Sequence, residues 1–272
     1  MIRVRKIAIV AGVGAVATAS ALALVPFSAS AAGPTPTTTT VTGPATVTTG
    51  HAVTFTAAVF PFKTPAPVVK AGGTVTFTIT GSGIGSGSVA CIAGNSALPL
   101  NGTGKAVCKV ASATLLASDS PYTVSATYTG DDSNFAGSAG VFNEPVSSAK
   151  TRIILGYDTK PVSGSPTMFT ATVTGGAGSL PTGTVLFSAT SSTGQLTKAH
   201  CNPGGPSQPL SPNSATPPLA QATCSLAANW FKVPAASKTN PHPVGTWTVS
   251  ASYSGDNNYG ASVASKHGTS KV

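Results

Sequence analysis

The sequence predicts an all-β protein in which two tandem β-sandwiches follow an N-terminal export signal. Apolar and polar residues alternate along several segments, and a period of two is typical of strands that bury one face. Blocks of such sequence recur in the same order roughly 110–125 residues apart, which indicates a duplicated domain. Only 8% of the 272 residues are charged, whereas coiled coils and helical bundles are rich in Ala, Glu, Lys, Leu and Arg.

The N-terminal segment is typical of a secretory signal peptide. Residues 1–6 contain three basic residues, residues 7–25 are apolar, and small residues follow up to Ala31 and Ala32. This order of basic start, apolar run and Ala-x-Ala end predicts cleavage after one of these two alanines. An uncleaved membrane anchor is the alternative, because the apolar run is about long enough to span a bilayer. Its many small residues favour cleavage, so we expect residues 1–32 to be removed.

The charge distribution indicates which classes of binding partner to expect. Removing the three basic residues of the signal changes the formal net charge from +9 to +6. The remaining lysines are scattered singly, whereas a nucleic-acid site needs a clustered basic stripe. We therefore expect no nucleic-acid partner, and no membrane partner once the signal is cleaved. Attraction to an anionic cell-envelope polymer stays open on charge alone.

Three blocks of sequence define the duplication. The blocks 55–59, 73–78 and 122–131 recur as 169–173, 183–188 and 247–256. The separations of 114, 110 and 125 residues exceed the roughly 20–50 residues of solenoid repeats, so each copy is a whole domain. A unit of about 110 residues is large enough to bury its own core.

The duplication predicts the domain boundaries. We expect a Thr/Pro-rich leader over 33–40, a first sandwich over 41–146 and a second over 147–272. Residues 144–148 are expected to link the two. Residues 202–218, which contain six prolines, are expected to form a long loop inserted in the second unit.

The four cysteines fall two in each unit, between the second and third blocks. Four cysteines allow three pairings, and the duplication favours pairing within each unit, as Cys91–Cys108 and Cys201–Cys224. Disulfides persist in the oxidising environment that an exported chain reaches. A metal site at His200 and Cys201 is the alternative, but no Cys-x-x-Cys pair or second His stands at ligand spacing. We expect two disulfides, no metal and no cofactor.

Half of the six acidic residues lie in two equivalent turns. Asp131 and Asp132 follow the third block of the first unit, and Asp256 follows the third block of the second. Their oxygens make calcium a candidate ligand, although calcium takes six to eight oxygens and each turn offers at most two carboxylates. The alternative is a structural turn in which Gly adopts a positive φ and Asp or Asn bonds the backbone.

Three aromatic residues are candidates for ligand binding. Trp230 and Phe231 form a bulky pair after Cys224, and Tyr259 closes the second acidic turn. Exposed rings would give a stacking platform for a sugar. The first unit has Leu115 and Leu116 at a similar distance from its second cysteine, so the pair is alternatively an apolar plug beneath a loop.

The sequence favours a protein without catalytic activity. It contains no Gly-x-Ser-x-Gly elbow and no phosphate-binding loop. None of its histidines lies near an acid or a nucleophile in the sequence, and Asp131 and Asp132, being adjacent, point apart on an extended chain. We therefore expect the protein not to be an enzyme.

Two blocks of the second unit carry a family resemblance. Residues 181–187 and 249–259 resemble the tandem Ig-like repeats of bacterial extracellular proteins, and the first unit shares the pattern at 73–77 and 122–135. The resemblance covers nearly all of the mature chain. It implies two Ig-like sandwiches that serve as a spacer, stalk or adhesion module. The expected function is that of a secreted, non-catalytic structural or adhesion protein, in solution or at the cell wall, that binds a protein or envelope partner. The alternative is a carbohydrate-binding module that uses exposed aromatic residues.

Overall fold

The computed structural model describes most of the chain beyond the predicted signal peptide, which lies outside the described residues. The described ranges are 33–61, 72–84, 87–131, 134–162, 164–176, 178–191, 196–198, 201–202, 204–215, 217–231 and 244–271. Over these ranges the fold is all-β, as the alternation predicts, with two short 3-10 turns. None of the described helical segments has the length and apolarity that crossing a membrane requires.

The first half of the described chain forms two antiparallel sheets that pack face to face. One sheet has the order β1-β3-β6, the other has the order β5-β4-β7-β8, and β2 pairs with β9 in parallel. The strands are β1 Thr37–Thr42, β2 Val47–Thr48, β3 Val53–Pro61, β4 Thr74–Gly81, β5 Leu98–Pro99, β6 Lys105–Val110, β7 Tyr122–Tyr128, β8 Ser138–Glu144 and β9 Val146–Ser147, with a 3-10 turn over Ala117–Asp119.

The second half repeats this arrangement with additional strands. One sheet has the order β10-β11-β16-β15, the other has the order β13-β12-β17-β18, and β14 also pairs with β12. The strands are β10 Arg152–Tyr157, β11 Thr167–Thr174, β12 Thr184–Ser191, β13 Leu196–Lys198, β14 Ser207–Pro209, β15 Ser211–Ala215, β16 Pro218–Leu226, β17 Val244–Tyr253 and β18 Ser262–Lys271, with a 3-10 turn over Ala228–Phe231.

Alternating side chains build the two cores. Along β3, Val53, Phe55, Ala57 and Val59 are buried, while the intervening residues face outward. The inward side chains of the first pair of sheets form one buried cluster between Val41 and Val146, and those of the second pair form another between Ala149 and Tyr259. Threonine suits the outer faces because it is polar and β-branched.

Both disulfides predicted from the duplication are present. Cys91 pairs with Cys108, and Cys201 pairs with Cys224. Cys108 and Cys224 occupy equivalent places, since they lie opposite Phe55 and Phe169 in the strand registers. All four cysteines are buried, so each bridge lies in the core of its own sandwich.

The structure differs from the sequence-based expectation in the Pro-rich segment 202–218. This segment forms β14 and β15 instead of a long loop. Proline lacks an N–H and is tolerated at strand ends, at edges and at bulges. Pro209 ends β14, Pro218 begins β16, and Pro212 lies in the edge strand β15 where its register shifts.

The expected linker is also ordered as strand. Glu144 is the last residue of β8, and Val146 and Ser147 form β9 against β2 of the first sandwich. The expected linker of residues 144–148 is therefore largely paired, and the chain crosses from one core to the other between Val146 and Ala149.

Candidate functional site: the acidic turns and the junction between the sandwiches

The acidic turn of the first sandwich is held by a single carboxylate oxygen. Oδ1 of Asp131 accepts hydrogen bonds from the N–H of Asn134 at 3.0 Å and of Phe135 at 2.7 Å. Gly130 has a φ of +90°, a conformation that glycine adopts without a steric penalty. Asp132 lies outside the described residues. Asp131 therefore serves the turn as an acceptor for two backbone donors.

The acidic turn of the second sandwich uses both carboxylate oxygens. Oδ1 of Asp256 accepts from the N–H of Asn258 and of Tyr259, each at 2.8 Å. Oδ2 accepts from the N–H of Thr182 at 2.8 Å and from its hydroxyl at 2.9 Å. Asp256 thus closes its own turn and also fastens that turn to the residues that precede β12.

Calcium binding at these turns stays a prediction. Asp131 and Asp256 serve separate sandwiches, and both carboxylates are already engaged by protein donors. Among the described residues, no group of three or more His, Cys, Asp or Glu side chains lies close enough together to hold a metal ion.

A buried tyrosine stands beside each acidic turn. Burial raises the pKa of Tyr128 and of Tyr253, and the negative charges of Asp131 and Asp256, respectively, raise them further. Among the described residues, the hydroxyl of Tyr128 has no hydrogen-bond partner. Both phenols therefore stay neutral, and the rings pack as part of the cores.

The two described rings among the predicted ligand-binding aromatics lie in the core. Phe231 is 3% exposed and Tyr259 is 1% exposed. The hydroxyl of Tyr259 donates to the carbonyl of Ser179 at 2.6 Å. Stacking on a ligand would require both rings to leave the core. The side chain of Trp230 lies outside the described part of the structure.

Phe231 belongs to an aromatic cluster that includes a residue not singled out from the sequence. Trp247 is 5% exposed, and its ring centroid lies 5.8 Å from that of Phe231, 6.0 Å from Phe169 and 6.2 Å from Tyr157. Phe231 is thus a plug over the core, packed edge to face against Trp247. The alternation of Trp247 with the buried Val249 and Ala251 is the sequence signal that places it inside.

The turn that contains Asp256 also forms the junction between the two sandwiches. Oδ1 of Asn258 accepts from the N–H of Ser118, in the 3-10 turn of the first sandwich, at 2.9 Å. Nδ2 of Asn258 donates to Oγ of Ser179, in the second sandwich, at 3.1 Å. The carbonyl of Asn258 accepts from the N–H of Ala149 at 2.8 Å. Asn258 therefore bonds the first sandwich, the second sandwich and the end of the connecting segment, which is the stretch between Val146 and Ala149 where the chain crosses from one core to the other.

Backbone packing reinforces this junction. Gly178 lies so close to the first sandwich that a Cβ there would stand 3.3 Å from Cδ2 of Leu116 and 3.7 Å from Cγ2 of Thr49. The N–H of Thr49 donates to the carbonyl of Ser147 in β9 at 2.8 Å. The connecting segment is thus bonded to both sandwiches, and the chain from Pro34 onward is one compact unit.

The same turn in the first sandwich lacks these junction contacts. Asn134 occupies the place of Asn258, since Thr35 pairs with Phe135 as Ala149 pairs with Tyr259. The side chain of Asn134 is exposed and makes no hydrogen bond to the described residues. Asparagine is a common turn residue, so the sequence alone gives no signal that separates Asn258 from Asn134.

Comparison with known proteins gives structural likenesses, among them two of low sequence identity. No protein-family model matches the sequence, and no curated protein matches it at a significant level. A transglutaminase from red sea bream aligns at 12% identity over 84% of this chain and 30% of its own, with a TM-score of 0.32. A tetra-tandem repeat from the extending region of a large adhesion protein aligns at 18% identity over 86% of this chain and 49% of its own, with a TM-score of 0.41. The chain thus spans less than half of either protein, and likeness at this level defines neither a family nor a function.

Proposed function

We propose that this chain is an exported, non-catalytic structural or adhesion protein whose two sandwiches act as one stiff spacer. In this role it holds a binding surface at a fixed distance from its point of attachment. Its partner is a protein or a cell-envelope polymer, bound through loops or exposed strand edges.

The observation that carries this proposal is the bonded junction at Asn258. Domains joined by a free linker move relative to one another by default. Here the side chain of Asn258 bonds Ser118 on one side and Ser179 on the other, and the connecting segment pairs with the first sandwich through β9. A spacer needs such resistance to bending, whereas an isolated binding domain does not.

Composition and redox state support export and the absence of catalysis. Two disulfides are typical of proteins that work in an oxidising compartment. Six acidic residues in 272 leave few groups for acid–base chemistry, and three of the described acids serve structural turns or the core: Asp131, Asp256 and Glu144.

We expect Asn258→Ala to loosen the junction while both sandwiches stay folded. The change removes the hydrogen bonds to Ser118 and Ser179, worth about 1 kcal/mol each. Residual dipolar couplings would give one shared alignment tensor for the two sandwiches in the wild type and two different tensors in the variant.

Asn134→Ala is the matched control, since it removes the same side chain from the equivalent turn, where that side chain bonds none of the described residues. It should behave as the wild type. Two independent tensors in the wild type itself would overturn the spacer proposal. Co-sedimentation of the protein with envelope fractions tests the partner separately, and a protein that stays wholly in the supernatant would contradict an envelope partner.

A further inference from the structure

A polar cleft lies at one edge of the second sandwich, where the chain passes from β14 in one sheet to β15 in the other. Its volume is about 350 Å³, within the roughly 300–1,000 Å³ typical of small-ligand sites. Its described lining consists of Gln208, Ser211, Asn213, Gln221 and Thr223, together with two prolines, and none of these described residues is charged. The cleft therefore offers amide and hydroxyl groups, which both donate and accept hydrogen bonds.

A β-bulge orients the amides of this cleft. The register of β15 against β16 shifts between Pro212 and Ser214, which makes Asn213 the extra residue. Nδ2 of Asn213 donates to Oε1 of Gln221 at 2.9 Å, and Nε2 of Gln221 donates to Oγ1 of Thr172 at 3.1 Å. Bulges often re-aim a side chain beside a functional site. This chain of bonds fixes both amides. Among the described residues, Oδ1 of the exposed Asn213 has no hydrogen-bond partner, so it is open to an incoming donor.

One strand of the cleft, β15, has no counterpart among the described residues of the first sandwich, whereas β14 corresponds to β5. In the first sandwich, the corresponding sheet ends at β6 over its described residues, and the outward residues of β6 include Lys105 and Lys109. In the second, β15 extends the sheet beyond β16. Binding functions are commonly added to a scaffold by such local elaboration. Over its described residues, the first sandwich is therefore an internal reference that lacks the edge strand carrying Asn213.

We propose that this cleft binds a neutral saccharide. Paired donors and acceptors without charge match the hydroxyl groups of a sugar, whereas a phosphate or carboxylate ligand would call for Arg, Lys or a bound cation. The rings of Pro209 and Pro212 give rigid apolar walls against which the C–H face of a sugar can pack. This site is separate from the junction and does not depend on the spacer role.

Calorimetric titration of the full protein with neutral oligosaccharides tests the proposal. The probes are cello-, malto-, xylo- and chito-oligosaccharides, with a sulfated oligosaccharide as the charged comparison. Asn213→Ala and the isosteric Thr223→Val should each weaken binding by about three- to tenfold, the amount that corresponds to one uncharged hydrogen bond. Asn143→Ala, which removes an exposed amide from β8 of the first sandwich, should leave the affinity unchanged, and melting curves should show all three variants folded.

Two outcomes would overturn the saccharide site. One is the absence of saturable heat with every neutral probe at millimolar concentration, and the other is binding that survives Asn213→Ala and Thr223→Val as well as it survives Asn143→Ala. Pull-down on the matching insoluble polymers distinguishes a polymer from a free oligosaccharide as the source of the ligand. The spacer role is tested separately by the shared alignment of the two sandwiches, so failure of the saccharide site and failure of the spacer role can be told apart.

Discussion

Asp256→Ala is expected to lower the free energy of unfolding by about 2–4 kcal/mol. Its carboxylate accepts four hydrogen bonds, from the N–H groups of Asn258 and Tyr259 and from the N–H and hydroxyl of Thr182. Bonds to an ionised acceptor are the strong ones, and their removal leaves three backbone donors to find water. The estimate is below the sum of four such bonds because neighbouring contributions are not additive. Urea denaturation of the purified protein measures the difference.

Asp131→Ala is the matched comparison for this change. Asp131 accepts two hydrogen bonds, from Asn134 and Phe135, so its loss should cost about half as much. Asp256→Asn should fall between, since the amide keeps one acceptor oxygen but cannot accept the N–H of Thr182 through its nitrogen. Equal losses for the two alanine variants would mean that the bonds from Thr182 contribute nothing to stability.

The parts of the fold that local pattern determines could be predicted from the sequence. Period-two alternation placed Phe55 and Phe77 inside, and both are buried. The duplication reduced three possible cysteine pairings to one, and that pairing is present. Both inferences rest on information that lies within one strand or is repeated between the two units.

The features that long-range contacts create could not be predicted. The junction depends on the hydrogen bond between Asn258 and Ser118, which lie 140 residues apart in the sequence. A single asparagine in a turn gives no sequence signal for such a long-range contact. The strands β14 and β15 were hidden by their prolines, which stand at strand ends and at a bulge where the missing N–H is tolerated. Tyr259 and Phe231 were open to two interpretations because an aromatic side chain after a strand serves a core or a ligand equally well.

Glu144 is the least expected residue of the first core. It lies in the segment 144–148 that was expected to link the two sandwiches, but its side chain is fully buried and neither carboxyl oxygen has a hydrogen-bond partner among the described residues. The carboxyl packs closely against Gly43. A Cβ added to this glycine would stand 2.8 Å from Oε2 of Glu144 and 2.7 Å from the ring of Phe142. Burial among these groups raises the pKa of Glu144, because a charged form without partners is poorly solvated there.

A raised pKa fixes the sign of the pH dependence. In the unfolded chain this carboxyl ionises around its ordinary value of about 4.3, whereas in the folded protein it holds its proton to a higher pH. The folded state therefore binds more protons between the two values, and stability falls as the pH rises through that window. Below the pKa of the unfolded chain, Glu144 is protonated in both states and its ionisation costs no stability. Above the pKa of the folded protein, the carboxyl is ionised in both states and the full cost of burying the charge is present.

Glu144→Gln should therefore stabilise the protein at pH 7 and have little effect at pH 4. The glutamine has nearly the same shape and no charge, so it removes the cost of an unpartnered buried carboxylate, about 1–3 kcal/mol at pH 7. Denaturant unfolding of both proteins at the two pH values measures this difference.

Asp158→Asn is the control of opposite sign, because hydrogen bonds from the N–H of Thr159 and of Met168 lower the pKa of Asp158. The ionised Asp158 stabilises the folded protein above the pKa that this carboxyl has in the unfolded chain, and the contribution is lost as the pH falls. Asp158→Asn should therefore lower the stability at pH 7. A Glu144→Gln effect of the same size at pH 4 and pH 7 would mean that this carboxyl keeps its ordinary pKa in the folded protein, with water or a partner reaching it.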